Sequence, residues 1–77
     1  MGQVYFHCSN AQKVVWDRQG TVVHDLPELR EHAIRVIQSL IAAPTLEDWR
    51  NWILHVSDDL GEELFAIPFS SVLGRLH

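Results

Sequence analysis

The segment from Asp25 to Pro44 constrains the fold of this 77-residue chain more than any other feature. Asp25 is a good helix N-cap, Pro27 fits the first turn, and Glu28 completes the spacing of a capping box. Pro44 ends the helix, since the residue before a proline resists the α conformation. At about 100° per residue, one broad apolar stripe forms; it comprises Leu29, Ala33, Val36, Ile37, Leu40 and Ile41, with Ile34 at its margin. The stripe must be buried, and the flanking strands supply the surface.

Strand-like segments lie on both sides of this helix. They are residues 3–8, 14–16, 21–23 (a short arm), 52–57 and 63–69, the last with Pro68 at a sheet edge. The turns Asp17-x-x-Gly20 and Asp58-x-x-Gly61 separate strands. The β-β-α-β-β order predicts a single α+β domain over residues 1–77. We expect an antiparallel sheet of three to four strands with one long amphipathic helix packed on one face.

Two further segments have less definite patterns. Thr45 and Asp48 have capping-box spacing, which predicts a short extra helical turn over residues 45–50. Residues 70–77 are expected to form a last helical turn or a frayed tail.

Charge and cysteine content exclude several classes of function. The net charge is −4 and the six bases are scattered, whereas sequence-independent nucleic-acid binding needs clustered Lys and Arg. Cys8 is the only cysteine, so no internal disulfide forms, which is typical of a reducing compartment. The start of the chain lacks a signal-peptide pattern, and the longest apolar run is too short for a membrane span. We expect a cytoplasmic protein that binds neither nucleic acid nor membrane.

The sequence predicts no catalytic, cofactor-binding or metal-binding residues, and thus no enzyme. The five histidines form no tight ligand pair, although His7 and His55 would meet if their strands were neighbours. A lone strand cysteine such as Cys8 is usually a small buried hydrophobe rather than a nucleophile. Acidic pairs at residues 58–59 and 62–63 flank a turn, where carboxylates are normally solvated.

A partner surface is the one site that the sequence favours. A single helix covers one face of the sheet, so the other face is solvated or covered by another chain. The alternation of apolar residues is imperfect at Ile53, which leaves apolar surface exposed. The tryptophans are either core filling or anchors for a partner. The predicted partner surface comprises Trp16, Trp49, Trp52 and Ile53.

Short motifs occur along the chain in a recognisable order. They are Tyr5-Phe6-His7, Asp17-x-x-Gly20, Asp25-Leu26-Pro27 with Leu29 and Ala33, Trp52-x-Leu54-x-Val56, Asp58-x-x-Gly61 and Pro68-Phe69. Over residues 4–72 this set resembles a family of short bacterial proteins, common in rhizobia, that is known only as a domain of unknown function. The resemblance implies a compact cytoplasmic bacterial domain and no particular activity. A second resemblance, through Tyr5, Gly20 and the helix from Glu28, is to HicB-like antitoxin domains.

Three functional hypotheses follow. The favoured one is a non-enzymatic module for protein–protein interaction or regulation, with a protein partner or a second copy of the chain in a homodimer. The first alternative is an antitoxin-like regulator that binds a small toxin or nucleic acid. The second alternative is an unrecognised small-molecule binder or enzyme.

Overall fold

The computed structural model describes residues 2–73. The elements in chain order are β1 (Gly2–Ser9), β2 (Val14–Val15), β3 (Thr21–Val23), α1 (Leu26–Ala42), a 3₁₀ turn (Trp49–Asn51), β4 (Ile53–Asp58), β5 (Glu63–Pro68) and α2 (Phe69–Leu73). The predicted α+β class and the β-β-α-β-β order are therefore confirmed. The strands β2 and β3 correspond to the predicted strand at residues 14–16 and its short arm at residues 21–23.

The strands form one antiparallel sheet in the order β2-β1-β4-β5, in which β3 also pairs with β1. The strands β2 and β3 therefore follow the same edge of β1, one at each end. Cys8 pairs with Val15, whereas Val4 pairs with Thr21. The five residues 16–20 thus face the three residues 5–7, and the outer strand bulges by two residues between β2 and β3.

The core lies between α1 and one face of the sheet. Strand residues alternate as predicted: Val4, Phe6 and Cys8 are buried on the helix side of β1, and Leu54 and Val56 on that of β4. The helix contributes three fully buried residues, Leu29, Ala33 and Ile37. The remaining residues of the apolar stripe, including Val36 and Leu40, are only partly buried against this core.

The start of α1 follows the predicted capping chemistry with one difference. Asp25 Oδ1 accepts a hydrogen bond from the Glu28 backbone N–H at 2.9 Å. The Glu28 carboxylate accepts from the His24 backbone N–H at 2.9 Å, rather than from the N–H of the cap residue itself. The reciprocal hydrogen bond of the capping box is thus made one residue earlier in the chain. Two hydrogen bonds of opposite direction still cap the start of the helix.

The segment after α1 differs from the prediction. Thr45 Oγ1 accepts from the Glu47 backbone N–H at 3.2 Å and starts no helix. The 3₁₀ turn begins only at Trp49, and Asp48 is its cap, accepting from the Arg50 backbone N–H at 3.1 Å. Of two residues with capping chemistry, the second is the one used.

The last strand ends one residue earlier than predicted, at Pro68, and Phe69 begins α2. The Phe69 N–H donates to the Trp52 carbonyl at 2.9 Å, and its side chain is fully buried. Burial of this ring turns the chain out of the sheet and into the helix. Of the predicted turn or tail at residues 70–77, the part up to Leu73 is helical and the rest lies outside the described residues.

Within residues 2–73, no helix is both long and apolar enough to cross a lipid bilayer.

Candidate functional site

An apolar groove of about 420 Å³ runs between α1 and the bulged outer edge of the sheet. Its floor is formed by residues of β1 and one wall by the partly buried face of α1. The opposite wall is formed by residues 15–17 and 19–21. The lining includes Phe6, Cys8, Val15, Trp16, Val36, Leu40, Trp49 and Trp52. The groove exists because α1 fully buries only three residues of its stripe, and the bulge moves the outer strand away from the helix.

The groove brings together three of the four residues predicted to form a partner surface. Trp16 is 63% exposed at its rim, and its ring meets His7 edge-on with centroids 4.9 Å apart. Trp52 is only 2% exposed and packs beside Trp49, with ring centroids 5.1 Å apart. Ile53 does not line the groove. It pairs with Ser9 of β1, on the sheet face that α1 leaves open.

The two inner tryptophans have an unmet hydrogen-bonding requirement. The indole N–H groups of Trp49 and Trp52 are buried and have no hydrogen-bond partner among the described residues. A buried donor without an acceptor costs about 1–3 kcal/mol, so such groups are uncommon in folded chains. Both side chains line the groove, but the two indole nitrogens themselves are enclosed by the protein.

Asp17 organises the bulged wall of the groove. Its carboxylate accepts from the backbone N–H of Phe6 at 3.1 Å, of Gln19 at 3.0 Å and of Gly20 at 3.2 Å. Burial alone would raise the pKa of this carboxyl. The three backbone donors outweigh that effect and hold the pKa of Asp17 below its ordinary value. The side chain is therefore a carboxylate at neutral pH, with its charge at the wall of the groove.

Cys8 lies in the groove floor and is 7% exposed. Burial, with a smaller contribution from the nearby Asp17 charge, raises the pKa of its thiol to about 11. The reactive form of cysteine is the thiolate, so this side chain has the properties of the small buried hydrophobe that the sequence predicts.

A second cluster lies on the open face of the sheet. His7 and His55 are direct cross-strand partners on β1 and β4. The sequence predicted that these histidines would meet if their strands were neighbours, and the strands are neighbours. Ser9 Oγ lies 2.7 Å from His55 Nε2, and Glu63 Oε1 lies 2.5 Å from His55 Nδ1. Sequence reasoning weighed Glu63 only as one of an acidic pair, favoured solvated turn charge for it, and did not consider Ser9. The available signal was that Ser9 follows His7 by two residues and so shares its face.

The remaining charges are dispersed. The ion pairs Lys13–Glu47, Arg35–Glu31 and Arg50–Asp48 engage three of the bases. The Asp58 carboxylate accepts backbone N–H bonds within its own turn. Among residues 2–73 no group of three or more His, Cys, Asp or Glu side chains is placed to hold a metal ion.

Comparison with known proteins gives one match. A family model described as "Domain of unknown function (DUF6894)" matches residues 3–70. The resemblance to a domain family of unknown function is thereby confirmed. No curated protein and no solved structure matches the chain.

Proposed function

The chain belongs to the DUF6894 family of domains of unknown function, and from that premise we propose that it is a protein-interaction module. Its groove beside α1 receives a short, extended, apolar segment of a partner protein. The observation that supports this most directly is an apolar groove lined by aromatic side chains, with the exposed ring of Trp16 at its rim.

The size of the groove favours a short segment. A volume of about 420 Å³ falls within the roughly 300–1,000 Å³ of ligand pockets, well below the size of a folded domain. Most of the binding energy at such sites comes from a few aromatic anchors that exclude water. Trp16 at the rim is well placed to close over an inserted apolar side chain, because it is both large and exposed.

The charges of the groove and of the whole chain restrict the kind of partner segment that fits. Among residues 2–73, Asp17 is the only carboxylate lining the groove, and the chain as a whole carries a formal charge of −4. A segment with a Lys or Arg beside its apolar residues therefore complements the site. Because three of the bases are already paired with carboxylates, the charge distribution favours a protein segment over nucleic acid.

A peptide-display selection tests the proposal. Peptides selected on the chain are then titrated into ¹⁵N-labelled protein. We expect the indole N–H signals of Trp16, Trp49 and Trp52 to shift, since all three rings line the occupied groove. Trp16→Ala should weaken binding by at least about tenfold, which is typical for loss of an aromatic anchor. Leu46→Ala, at a fully exposed leucine outside the groove, is the control and should bind normally.

Two results would overturn the proposal. Selected peptides that bind Trp16→Ala as tightly as the unmodified chain would place the interaction elsewhere. A dimer in sedimentation experiments that Trp16→Ala dissociates would assign the groove to a second copy of the chain instead of a different protein.

A further inference from the structure

Three side chains on the open sheet face form a continuous hydrogen-bonded line across three adjacent strands. Ser9 ends β1, His55 lies in β4 and Glu63 begins β5. Ser9 Oγ is 2.7 Å from His55 Nε2, and His55 Nδ1 is 2.5 Å from Glu63 Oε1. Both distances are within hydrogen-bond range, so the imidazole connects a hydroxyl to a carboxylate.

The chemistry of the end groups fixes the direction of these bonds. An ionised carboxylate only accepts, so His55 carries a proton on Nδ1 and donates it to Glu63. In the neutral imidazole the other nitrogen, Nε2, is then an acceptor, and the Ser9 hydroxyl donates to it. Ser9 is thus held with its proton directed at a base, which is the arrangement that activates a serine nucleophile.

His7 supplies a fourth group. Its Nδ1 accepts from the backbone N–H of Asp17 at 3.0 Å, which leaves the proton of the neutral ring on Nε2. No described residue accepts a hydrogen bond from that N–H. His7 is the cross-strand partner of His55 and lines the same cavity of about 280 Å³ as Ser9 and His55. An N–H donor that lines the same cavity as an activated hydroxyl can stabilise a negative oxygen as it forms.

We propose that this cavity catalyses acyl transfer from small esters, with Ser9 as nucleophile, His55 as base, Glu63 as its positioning residue and His7 as oxyanion donor. The proposal goes beyond the interaction function and differs from the sequence-based expectation of no catalytic residues. That expectation examined Cys8 and the acidic pairs as candidates, whereas the present residues meet only through the pairing of β1, β4 and β5.

The reaction proceeds in two steps. Ser9 Oγ forms a bond to the ester carbonyl carbon while its proton passes to His55 Nε2, and the carbonyl oxygen becomes an anion facing the His7 N–H. The carbon–oxygen bond to the alcohol then breaks, and the leaving alkoxide takes the proton from His55. In the second step His55 Nε2 removes a proton from water as the water oxygen bonds to the acyl carbon on Ser9. The bond between that carbon and Ser9 Oγ then breaks, Oγ takes the proton back from His55, and the carboxylic acid departs.

The cavity restricts the substrate. Val14 and Trp16 form an apolar part of its lining, and the site is open to solvent, with the His55 side chain 31% exposed. Short acyl groups fit better than long chains. We therefore expect esters such as p-nitrophenyl acetate to react and long-chain esters to react poorly.

The test uses a fluorophosphonate probe and p-nitrophenyl acetate on the whole chain. We expect covalent labelling at one site, which peptide mapping places at Ser9, and a burst of p-nitrophenol equal to the amount of protein. Ser9→Ala should abolish both, and Ser39→Ala, at an exposed helix serine, should abolish neither. Circular dichroism on each variant confirms folding. Labelling at another residue, or an unchanged burst in Ser9→Ala, overturns the proposal.

Two further variants separate the roles of the neighbours. His7→Leu should lower the acylation rate of the folded protein by about 10²–10³-fold, the usual loss for one oxyanion donor. Thermal stability should also fall, since the Asp17 N–H loses its acceptor, so the rate is measured well below the melting temperature of the variant. Glu63→Gln should lower the rate and also shift the ¹⁵N signals of His55 towards the other tautomer. A rate loss in Glu63→Gln with unchanged His55 signals would show that Glu63 does not position the base.

Discussion

The carboxylate of Asp17 accepts a hydrogen bond from the backbone N–H of Phe6 at 3.1 Å. Phe6 lies opposite the interval between β2 and β3, where no residue of the outer strand pairs with it. The side chain of Asp17 therefore substitutes for the missing strand at the point where the chain bulges outward. The same bulge forms one wall of the groove, so this single bond links the edge of the sheet to the proposed binding site.

Removing the Asp17 carboxylate should destabilise the fold. Asp17→Ala leaves the Phe6 N–H without its acceptor, and we expect the free energy of unfolding to fall by about 1–3 kcal/mol. Because folding lowers the pKa of Asp17, its contribution is present above its unfolded pKa near 3.8 and is lost as pH falls through the lower folded value. Urea unfolding at pH 7 and at acid pH measures both effects. Asp59→Ala, in an exposed turn, should change neither quantity.

Gly20 is required by both backbone conformation and space. Its φ is +74°, and a Cβ there would lie 2.7 Å from Gln3 Nε2 and 2.9 Å from Tyr5 Cε2. We expect Gly20→Ala to cost about 1–3 kcal/mol for the left-handed backbone, and more because the neighbours must move. Gly61 has φ +84° but nothing within 4 Å of a built Cβ, so Gly61→Ala isolates the backbone cost. Equal losses in thermal unfolding would show that the crowding at Gly20 is relieved without cost.

Two residues one turn apart on the apolar stripe of α1, Ile37 and Leu40, should respond differently to truncation. Ile37 is fully buried, and Ile37→Ala should cost about 2–5 kcal/mol. Leu40, which the sequence places on the same stripe, lines the groove and is only partly buried. Leu40→Ala should therefore cost clearly less. If calorimetry gives equal losses for the two variants, the groove is closed around Leu40 in solution.

Cys8 makes stability depend on alkaline pH. The thiol ionises near pH 9.0 when exposed, but its pKa is raised to about 11 in the folded chain. Between these values the unfolded chain releases a proton that the folded chain keeps, so the free energy of unfolding decreases as pH rises. We expect this decrease to be smaller in Cys8→Ala when urea unfolding is compared at about pH 8 and about pH 10.5. An identical decrease in both chains would assign it to other groups.

The helix and the alternation of β1 and β4 were predictable because periodicity and capping are local properties of sequence. The N-cap at Asp25 and the burial of Ile37 follow from spacing alone. Thr45 and Asp48 are both suitable N-caps for a short helix, and spacing alone does not say which of them is used. The choice depends on where Trp49 packs against the buried ring of Phe69.

Features that depend on strand register were not predictable in the same way. The Asp17–Phe6 bond joins residues 11 apart, across a turn whose pattern indicates only a reversal of direction. Ser9 and His55 are 46 residues apart, and they meet only in one register of β1 against β4. The tryptophans stand out by composition. Their common groove depends instead on how α1 lies over the sheet, which periodicity does not define.

The split outer strand has a consequence for the behaviour of the chain at high concentration. An exposed strand edge is a template on which further copies can add, as in amyloid. Here one edge offers only the two residues of β2 and the three residues of β3, out of register with each other. The opposite edge, β5, contains a bulge at Leu64 and ends in Pro68, which has no N–H to donate. Neither edge presents a long regular ladder, so the sheet is protected against growing into filaments although both edges carry exposed apolar side chains.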